Sequence, residues 1–194
     1  DDLYIRFFRL AERRIVEMSG QGIVCYISNF SYLSDHSFVV MRRRFLEEFD
    51  ALWFDCMNGD SRETGKRTPE GNPDPSVFST QQNPVGIRVG TAIATMVRRP
   101  ERAETPTVYF RNFWGQTKRA DLVESLKADD FNDQYETFTP KENTRYAFRP
   151  LDMSEKYLGW PLVTELCAFP PQNGLMEKRR GALFDMDRAA LEKR

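Results

Sequence analysis

The residues best suited to chemistry are arginines that alternate with aromatic side chains between residues 85 and 119. This segment carries seven basic and two acidic residues, whereas the whole chain has a formal net charge of −1. Guanidinium groups pair with phosphate and aromatic rings stack on bases, so the pattern is typical of a nucleic-acid surface. A solvated hairpin with outward-pointing charges would give the same counts. The candidate phosphate contacts are Arg88, Arg98, Arg99 and Arg111.

Composition excludes several enzyme classes. The chain of 194 residues has one histidine, His36, and three widely spaced cysteines, Cys25, Cys56 and Cys167. Common zinc sites need paired cysteines or histidines, so we expect no metal cofactor and no disulfide framework. A reducing, cytoplasmic compartment is the expected location. No apolar run reaches the roughly 18 residues that a membrane span requires, so we expect no membrane partner.

Two short motifs approach catalytic signatures and fall short of them. Residues 59–67 have five rather than four residues between their glycines, and Arg67 stands where a phosphate loop needs Ser or Thr. Residues 83–86 and 169–172 each match half of the Asn-Pro-Pro-Tyr signature of amino methyltransferases. We therefore assign no catalytic residue within this chain.

The elements that would position these residues alternate between helix and strand. Apolar side chains at helical spacing predict a helix over residues 3–18, with Asp2 as its cap, and a second helix over residues 38–49. The apolar stripe of the first helix is formed by Leu3, Phe7, Leu10, Ala11, Ile15 and Met18. The continuous apolar runs at residues 23–27 and 51–54 are typical of buried strands of a parallel sheet. This order predicts an α/β fold.

The rest of the chain predicts a loop, a hairpin and further helices. Residues 58–76 are rich in Gly, Pro, Ser, Thr and charge, which favours a long loop. Residues 86–97 and 107–113 predict the two arms of an antiparallel hairpin. We expect helices over residues 118–127 and 187–193.

Four stretches of the chain, taken in order, carry a resemblance to a known family. They are Asp-Leu-Tyr-Ile-Arg-Phe (2–7), Gly-Ile-Val-Cys-Tyr-Ile-Ser-Asn-Phe-Ser-Tyr-Leu (22–33), Val-Phe-Ser-Thr-Gln-Gln (77–82) and Gly-Thr-Ala-Ile-Ala-Thr-Met-Val-Arg-Arg (90–99). Their order and spacing resemble the second half of adenine-specific DNA methyltransferases. Residues 157–166 and 169–187 narrow the resemblance to type ISP restriction-modification enzymes, because they look like the stretch that leads from methylase to recognition domain.

The resemblance implies a partial Rossmann-like methyltransferase sheet that ends in an antiparallel hairpin and is followed by a mixed α/β tail. Residues 1–118 would be the C-terminal half of the methyltransferase domain, and residues 119–194 a linker and the start of the target-recognition region. Phe7 and Leu3 would contact the cofactor S-adenosylmethionine, and Phe78 would stack on the flipped target adenine. The implied partners are double-stranded DNA and the remainder of the restriction-modification polypeptide.

The family's Gly-rich cofactor turn and Asn-Pro-Pro-Tyr motif would both precede residues 2–7, and this chain contains neither. Asn29 also stands where many relatives have Pro. We therefore expect the isolated chain to be inactive as a methyltransferase. Two alternatives remain open: a non-catalytic nucleic-acid-binding or assembly module with a methylase-like sheet, and a truncated fold that binds nothing tightly and dimerises through an exposed sheet edge.

Overall fold

The computed structural model describes residues 2–151, 154–170 and 187–193, and the chain divides into two compact units, residues 1–152 and 153–194. The first unit contains three helices and five strands in the order α1 (Leu3–Arg13), β1 (Gly22–Asn29), α2 (Val39–Glu48), β2 (Ala51–Asn58), β3 (Thr91–Arg98), β4 (Thr107–Asn112), α3 (Lys118–Ser125) and β5 (Glu136–Phe138). The described part of the second unit contains the short helices α4 (Glu155–Leu158), α5 (Val163–Leu166) and α6 (Arg188–Glu192).

The five strands form one mixed sheet in the order β1-β3-β2-β4-β5. β1, β2 and β4 run in one direction, and β3 and β5 run in the other. The predicted α/β class is therefore confirmed, and the sheet is consistent with a Rossmann-like fold. We call the side where β1, β2 and β4 end and β3 begins the carboxyl end of the sheet, and the opposite side the amino end.

The predicted hairpin of residues 86–97 and 107–113 is wrong. β3 and β4 do not pair, because β2 lies between them, antiparallel to β3 and parallel to β4. Leu52 of β2 is paired with Met96 on one side and with Val108 on the other. β2 is almost entirely buried, so its backbone polar groups need a strand on each side.

β1 is also placed differently from the expectation of a buried parallel strand. It is antiparallel to its single partner, β3, and its other side has no strand among the described residues. Ile23 and Ile27 are 65% and 43% exposed on one face, while Val24 and Tyr26 on the other face pack into the core. The continuous apolar run at residues 23–27 therefore predicted the strand correctly, but the prediction that both faces of this strand are buried is wrong.

The first predicted helix occurs, but its buried side is not the predicted one. α1 ends at Arg13 and the chain continues as a π-helical turn to Ser19. Phe8 and Glu12 are buried, while Leu10 of the predicted apolar stripe is exposed. Glu12 tolerates burial because it pairs with two arginines, Arg9 at 2.9 Å and Arg44. Asp2 occupies the N-cap position without a capping side-chain hydrogen bond.

The core lies between α1, α2 and one face of the sheet, and it is rich in aromatic rings. Phe8 packs against Phe45 with ring centroids 5.5 Å apart. Phe148, from the segment after β5, stacks on Phe54 of β2 at 4.5 Å. These contacts fix the sheet and therefore the loops at its carboxyl end.

The first unit extends beyond the predicted domain boundary at residue 118, because β5 pairs with β4. The predicted boundary between the methyltransferase domain and the recognition region stays a prediction.

Residues 171–186 lie outside the described residues. They make up most of the stretch 169–187 that resembles the connection from methylase to recognition domain. In the part that is described, no helix is long and apolar enough to cross a membrane.

Candidate nucleic-acid interface at the carboxyl end of the sheet

A long loop at the carboxyl end, residues 59–90, connects β2 to β3. The buried carboxylate of Asp60 ties its two ends together. It accepts hydrogen bonds from the amides of Arg62 and Glu63, both at 2.6 Å, and from the amide of Gly90 at 2.8 Å. Burial opposes ionisation, but these amide hydrogen bonds outweigh it and hold the pKa of Asp60 below its ordinary value. Asp60 therefore closes the loop at its base.

A second buried carboxylate, that of Asp74, ties the middle of the loop to three other segments. It accepts hydrogen bonds at 2.7 Å from the amides of Gly59, just after β2, and Gly115, after β4. Lys118 of α3 places its ammonium 2.6 Å from the same carboxylate and donates to the carbonyl of Met57 at 2.7 Å. Burial lowers the pKa of Lys118, and its hydrogen bond with Asp74 opposes that shift. The side chains of Asp74 and Lys118 are 0% and 2% exposed.

Between the two carboxylates the chain forms a compact inner turn, residues 66–74. Arg67 and Pro73 face each other in an antiparallel bridge, and the amide of Asp74 donates to the carbonyl of Lys66 at 2.7 Å. The inner turn is therefore closed by its own backbone. It is separate from the segment that follows Asp74 and carries Phe78.

The backbone around Phe78 is fixed on several sides, whereas its ring is left 48% exposed. The amide of Phe78 donates to the hydroxyl of Ser76 at 3.2 Å. A Cβ added at Gly59 would lie 2.9 Å from the Cα of Ser76, and one at Gly86 would lie 2.8 Å from the hydroxyl of Ser79. Both glycines have positive φ angles, so the close contacts require glycine there. A large aromatic ring on a fixed backbone is suited to stacking.

The loop also presents cations. Arg62, Arg67 and Arg88 are exposed, and the ion pairs of the described residues involve other lysines and arginines. Lys66 is directed inward, where it donates to the carbonyl of Ile87 at 3.0 Å. The loop also exposes the carboxylates of Glu63 and Glu70. Because Asp60 and Asp74 are buried, three exposed arginines stand against these two glutamates at the loop surface.

Sequence reasoning found two of these residues and missed two. Phe78 and Arg88, both chosen from sequence, lie in the same loop at the same end of the sheet. Arg62 and Arg67 were missed because they lie outside the basic segment of residues 85–119, and the sequence does not show that Asp60 and Asp74 of their loop are buried. The available signal was the placement of Asp beside Gly, Ser and Pro, where its carboxylate commonly accepts backbone amides.

Arg98 and Arg99 lie at the amino end, about 23 Å from the start of β3 for an eight-residue strand. Arg98 donates to the carboxylate of Glu48 at 2.9 Å and to the carbonyl of Gly20 at 3.1 Å. Arg99 is exposed. The structure therefore does not bring these two arginines together with Phe78.

Arg111 lies in β4 beneath the segment that contains Tyr135, and its side chain is only 8% exposed. It forms an ion pair with Asp55 of β2, which also accepts a hydrogen bond from the Tyr135 hydroxyl at 2.9 Å. The guanidinium lies 4.2 Å from the centre of the Tyr135 ring and 4.8 Å from that of Phe113. This burial leaves Arg111 no surface for a phosphate contact.

The two residues that resemblance assigns to the cofactor lie on α1. Phe7 is 49% exposed, and its ring centroid is 6.5 Å from that of Tyr26. It lines a groove of about 350 Å³ between α1 and the open side of β1, with Leu10 and Val24 among the other lining residues. Leu3 is 64% exposed and does not line this groove. The lining is mostly apolar and fits a flat apolar ring, with Arg14 as its one charged residue.

The histidine and the two cysteines of the first unit lie outside the long loop of residues 59–90. The ring of His36 contacts the guanidinium of Arg145. Cys25 is exposed on β1, and Cys56 is buried in β2, where burial raises the pKa of its thiol. In the part of the chain that the structure describes, no group of three or more His, Cys, Asp or Glu residues could hold a metal ion.

The chain is similar in structure to DNA-bound restriction-modification enzymes. It matches the ATP-dependent Type ISP restriction-modification enzyme LlaBIII bound to DNA, with a TM-score of 0.57 and 17% identity over 72% of this chain. It also matches a nuclease-deletion mutant of the Type ISP enzyme LlaGI in complex with a DNA substrate mimic, with a TM-score of 0.58 and 20% identity over 81% of this chain. A DrdV–DNA complex matches with a TM-score of 0.57 and 26% identity over 75% of this chain.

These matches concern a small part of large proteins. The chain spans 9%, 14% and 13% of the LlaBIII, LlaGI and DrdV chains. No protein-family model and no curated protein matches the sequence. The identities of the two Type ISP matches support a shared fold.

Proposed function

We propose that this chain is the base-holding part of an adenine-specific DNA methyltransferase within a restriction-modification enzyme. The observation that carries the proposal is Phe78, a half-exposed aromatic ring on a fixed backbone at the carboxyl end of the sheet. The likeness to DNA-bound Type ISP enzymes gives independent support. In the parent enzyme, the reaction would transfer a methyl group to the exocyclic amine of a flipped adenine.

The proposed task of Phe78 follows from the cost of extracting a base. Methylating an exocyclic amine inside a duplex requires that the base leave the stack, at a cost of a few kcal/mol. Stacking on an aromatic side chain recovers about 1–3 kcal/mol per base. Because the backbone of Phe78 is already fixed, little further ordering is needed when the base arrives.

The exposed arginines of the loop would hold the DNA backbone on either side of the extruded base. Arg62, Arg67 and Arg88 share the loop with Phe78, so their guanidinium groups can pair with phosphates while the ring stacks. Arg99, at the amino end, would contact a separate part of the DNA. Arg98 and Arg111 form ion pairs with Glu48 and Asp55, so we assign them no contact with DNA.

S-adenosylmethionine would supply an electrophilic methyl group in the parent enzyme. The apolar groove beside Phe7 fits the adenine ring of this cofactor and lacks acidic or amide side chains for its ribose and amino-acid groups. This chain would therefore pack against one side of the adenine only. Methyl transfer by the isolated chain is not expected.

The proposal is tested by the preference of the isolated chain for a flipped base. Two fluorescein-labelled duplexes are compared, one fully paired and one with an adenine opposite an abasic site, where flipping costs little. We expect tighter binding of the second, and we expect Phe78→Ala to lower that preference about tenfold without weakening the paired duplex. Val85→Ala, which shortens another exposed apolar side chain of the loop, is the matched control.

Three outcomes would contradict the proposal or redirect it. An unchanged preference in Phe78→Ala would remove the base-holding role. An equal loss for both duplexes would indicate a general nucleic-acid-binding module. Transfer of labelled methyl groups to DNA by the isolated chain would show that catalytic groups are present that we have not assigned.

A further inference from the structure

We infer that Asp74 and Lys118 form a buried positioning pair that sets the place of Phe78 for base stacking. The inference rests on the proposed function, since it assigns the device that makes Phe78 effective. Neither residue reaches the surface, so neither is expected to touch DNA.

The first support is the number of segments that meet at Asp74. Its carboxylate joins the residue after β2, the turn after β4 and the first residue of α3, through Gly59, Gly115 and Lys118. Phe78 follows four residues later in the chain. Any shift of Asp74 relative to the sheet would therefore be passed to the Phe78 segment.

The second support is the stiffness of the chain between Asp74 and Phe78. Pro75 has a fixed φ angle. Ser76 lies against Gly59 so closely that no side chain fits between them, and its hydroxyl accepts the amide of Phe78. Asp74 and Phe78 are thus linked by a short, rigid segment.

The third support is that the buried pair of Asp74 and Lys118 carries two charges. Removing both charges from water is costly, so a buried ion pair is a poor source of stability compared with apolar packing. It does enforce one geometry, because each charge and each donor is satisfied in a single arrangement. Lys118 satisfies Asp74 and the carbonyl of Met57 at once, which fixes α3, β2 and the loop together.

The opposite end of the sheet offers a closely matched control. Asp50 also accepts two backbone amides, those of Arg99 at 2.6 Å and Ala103 at 2.8 Å, and one cation, Arg102 at 3.0 Å. This second pair holds the connection between β3 and β4, and its hydrogen bonds go to residues at the amino end of the sheet. Removing it tests the effect of losing such a pair without moving Phe78.

The experiment measures the preference for the duplex with the abasic site over the paired duplex. Asp74→Asn/Lys118→Met removes both charges, and Asp50→Asn/Arg102→Met removes those of the control. We expect the first double variant to lose preference about as strongly as Phe78→Ala, roughly tenfold, and the second to keep it. Urea unfolding of each variant verifies that the fold is intact.

A cycle with Phe78→Ala separates positioning from a general structural effect. If the pair acts through Phe78, adding Asp74→Asn/Lys118→Met to Phe78→Ala causes no further loss of preference. A further loss in that background, or an unchanged preference in the double variant alone, overturns the inference. Lys118→Met alone, which leaves Asp74 its two amide donors, is measured in the same way if the double variant is unfolded.

The two proposals fail differently. If Phe78→Ala has no effect on the preference, the proposed function fails. If Phe78→Ala acts and the variants of Asp74 and Lys118 do not, only the positioning pair is rejected.

Discussion

Each end of the sheet has a buried aspartate that accepts backbone amides and pairs with a cation, but the two ends differ in which cations remain at the surface. At the amino end, Asp50 pairs with Arg102 and Glu48 pairs with Arg98, so these two arginines have acidic partners, and Arg99 is left exposed. At the carboxyl end, Asp60 accepts only backbone amides and Asp74 takes a lysine that is itself buried. Arg62, Arg67 and Arg88 of the long loop are therefore exposed without a buried carboxylate as partner, although Glu63 and Glu70 are exposed in the same loop. The number of charged residues in a sequence segment does not measure its surface charge, because a carboxylate such as that of Asp60 can be buried with backbone amides as its hydrogen-bond donors.

The largest effect that would sharpen this comparison is on stability. Asp74→Ala leaves the buried ammonium of Lys118 without a countercharge, so we expect a loss of about 3–5 kcal/mol in the free energy of unfolding. Asp50→Ala leaves Arg102, whose side chain is 31% exposed and can rehydrate, so about 1–2 kcal/mol is expected. Urea denaturation followed by tryptophan fluorescence measures both values. Equal losses would contradict the difference in burial between the two ends.

The next effect concerns the salt dependence of DNA binding. Replacing Arg67 and Arg88 by alanine should reduce the steepness of the slope of log affinity against log salt by about 0.9 for each residue. The reason is that a complex with fewer phosphate contacts releases fewer counterions when it forms. The same replacement of Arg98 and Arg99 should change the slope less, since Arg98 is held by Glu48. Titration of a paired duplex at several salt concentrations measures the slopes. A larger change at the amino end would move the interface to that end.

The smallest effect concerns acid stability. Amide hydrogen bonds hold the pKa of Asp60 below its ordinary value of 3.8 despite the opposing effect of burial. The contribution of Asp60 to the free energy of unfolding is therefore fully present above pH 3.8, and it is lost as the pH falls through the lower pKa that Asp60 has in the folded chain. We expect Asp60→Asn to flatten the fall in unfolding free energy between about pH 5 and pH 2. An unchanged curve would show that Asp60 does not close the loop in solution.

The sequence was sufficient where local pattern and tertiary environment agree. The continuous apolar run of residues 51–54 marked β2 correctly, because that strand is buried on both faces. The run at residues 23–27 marked β1 as a strand but not its position, since apolar character does not reveal whether a neighbour covers it. Strand pairing failed for β3 and β4, whose intervening turn favoured a hairpin although β2 lies between them.

The candidate site was predictable in part for a similar reason. Phe78 and Arg88 stand close together in the sequence, and one loop holds them both. Arg98 and Arg111 find their carboxylates at Glu48 and Asp55, about fifty residues away, so no local pattern could show that they are occupied. Lys118 belongs to the basic segment of residues 85–119, and no local pattern could show that its partner is Asp74 of the loop.

The inner turn of residues 66–74 has a consequence for how the loop can change in length. Its backbone is closed by the bridge of Arg67 and Pro73, and its tip, residues 69–71, is exposed. We therefore expect residues to be inserted at this tip while Asp60 and Asp74 keep their hydrogen bonds. The outline of the loop can thus vary independently of the segment that presents the ring of Phe78. If the proposed function holds, such a chain can acquire new contacts to the DNA backbone without rebuilding the position of Phe78.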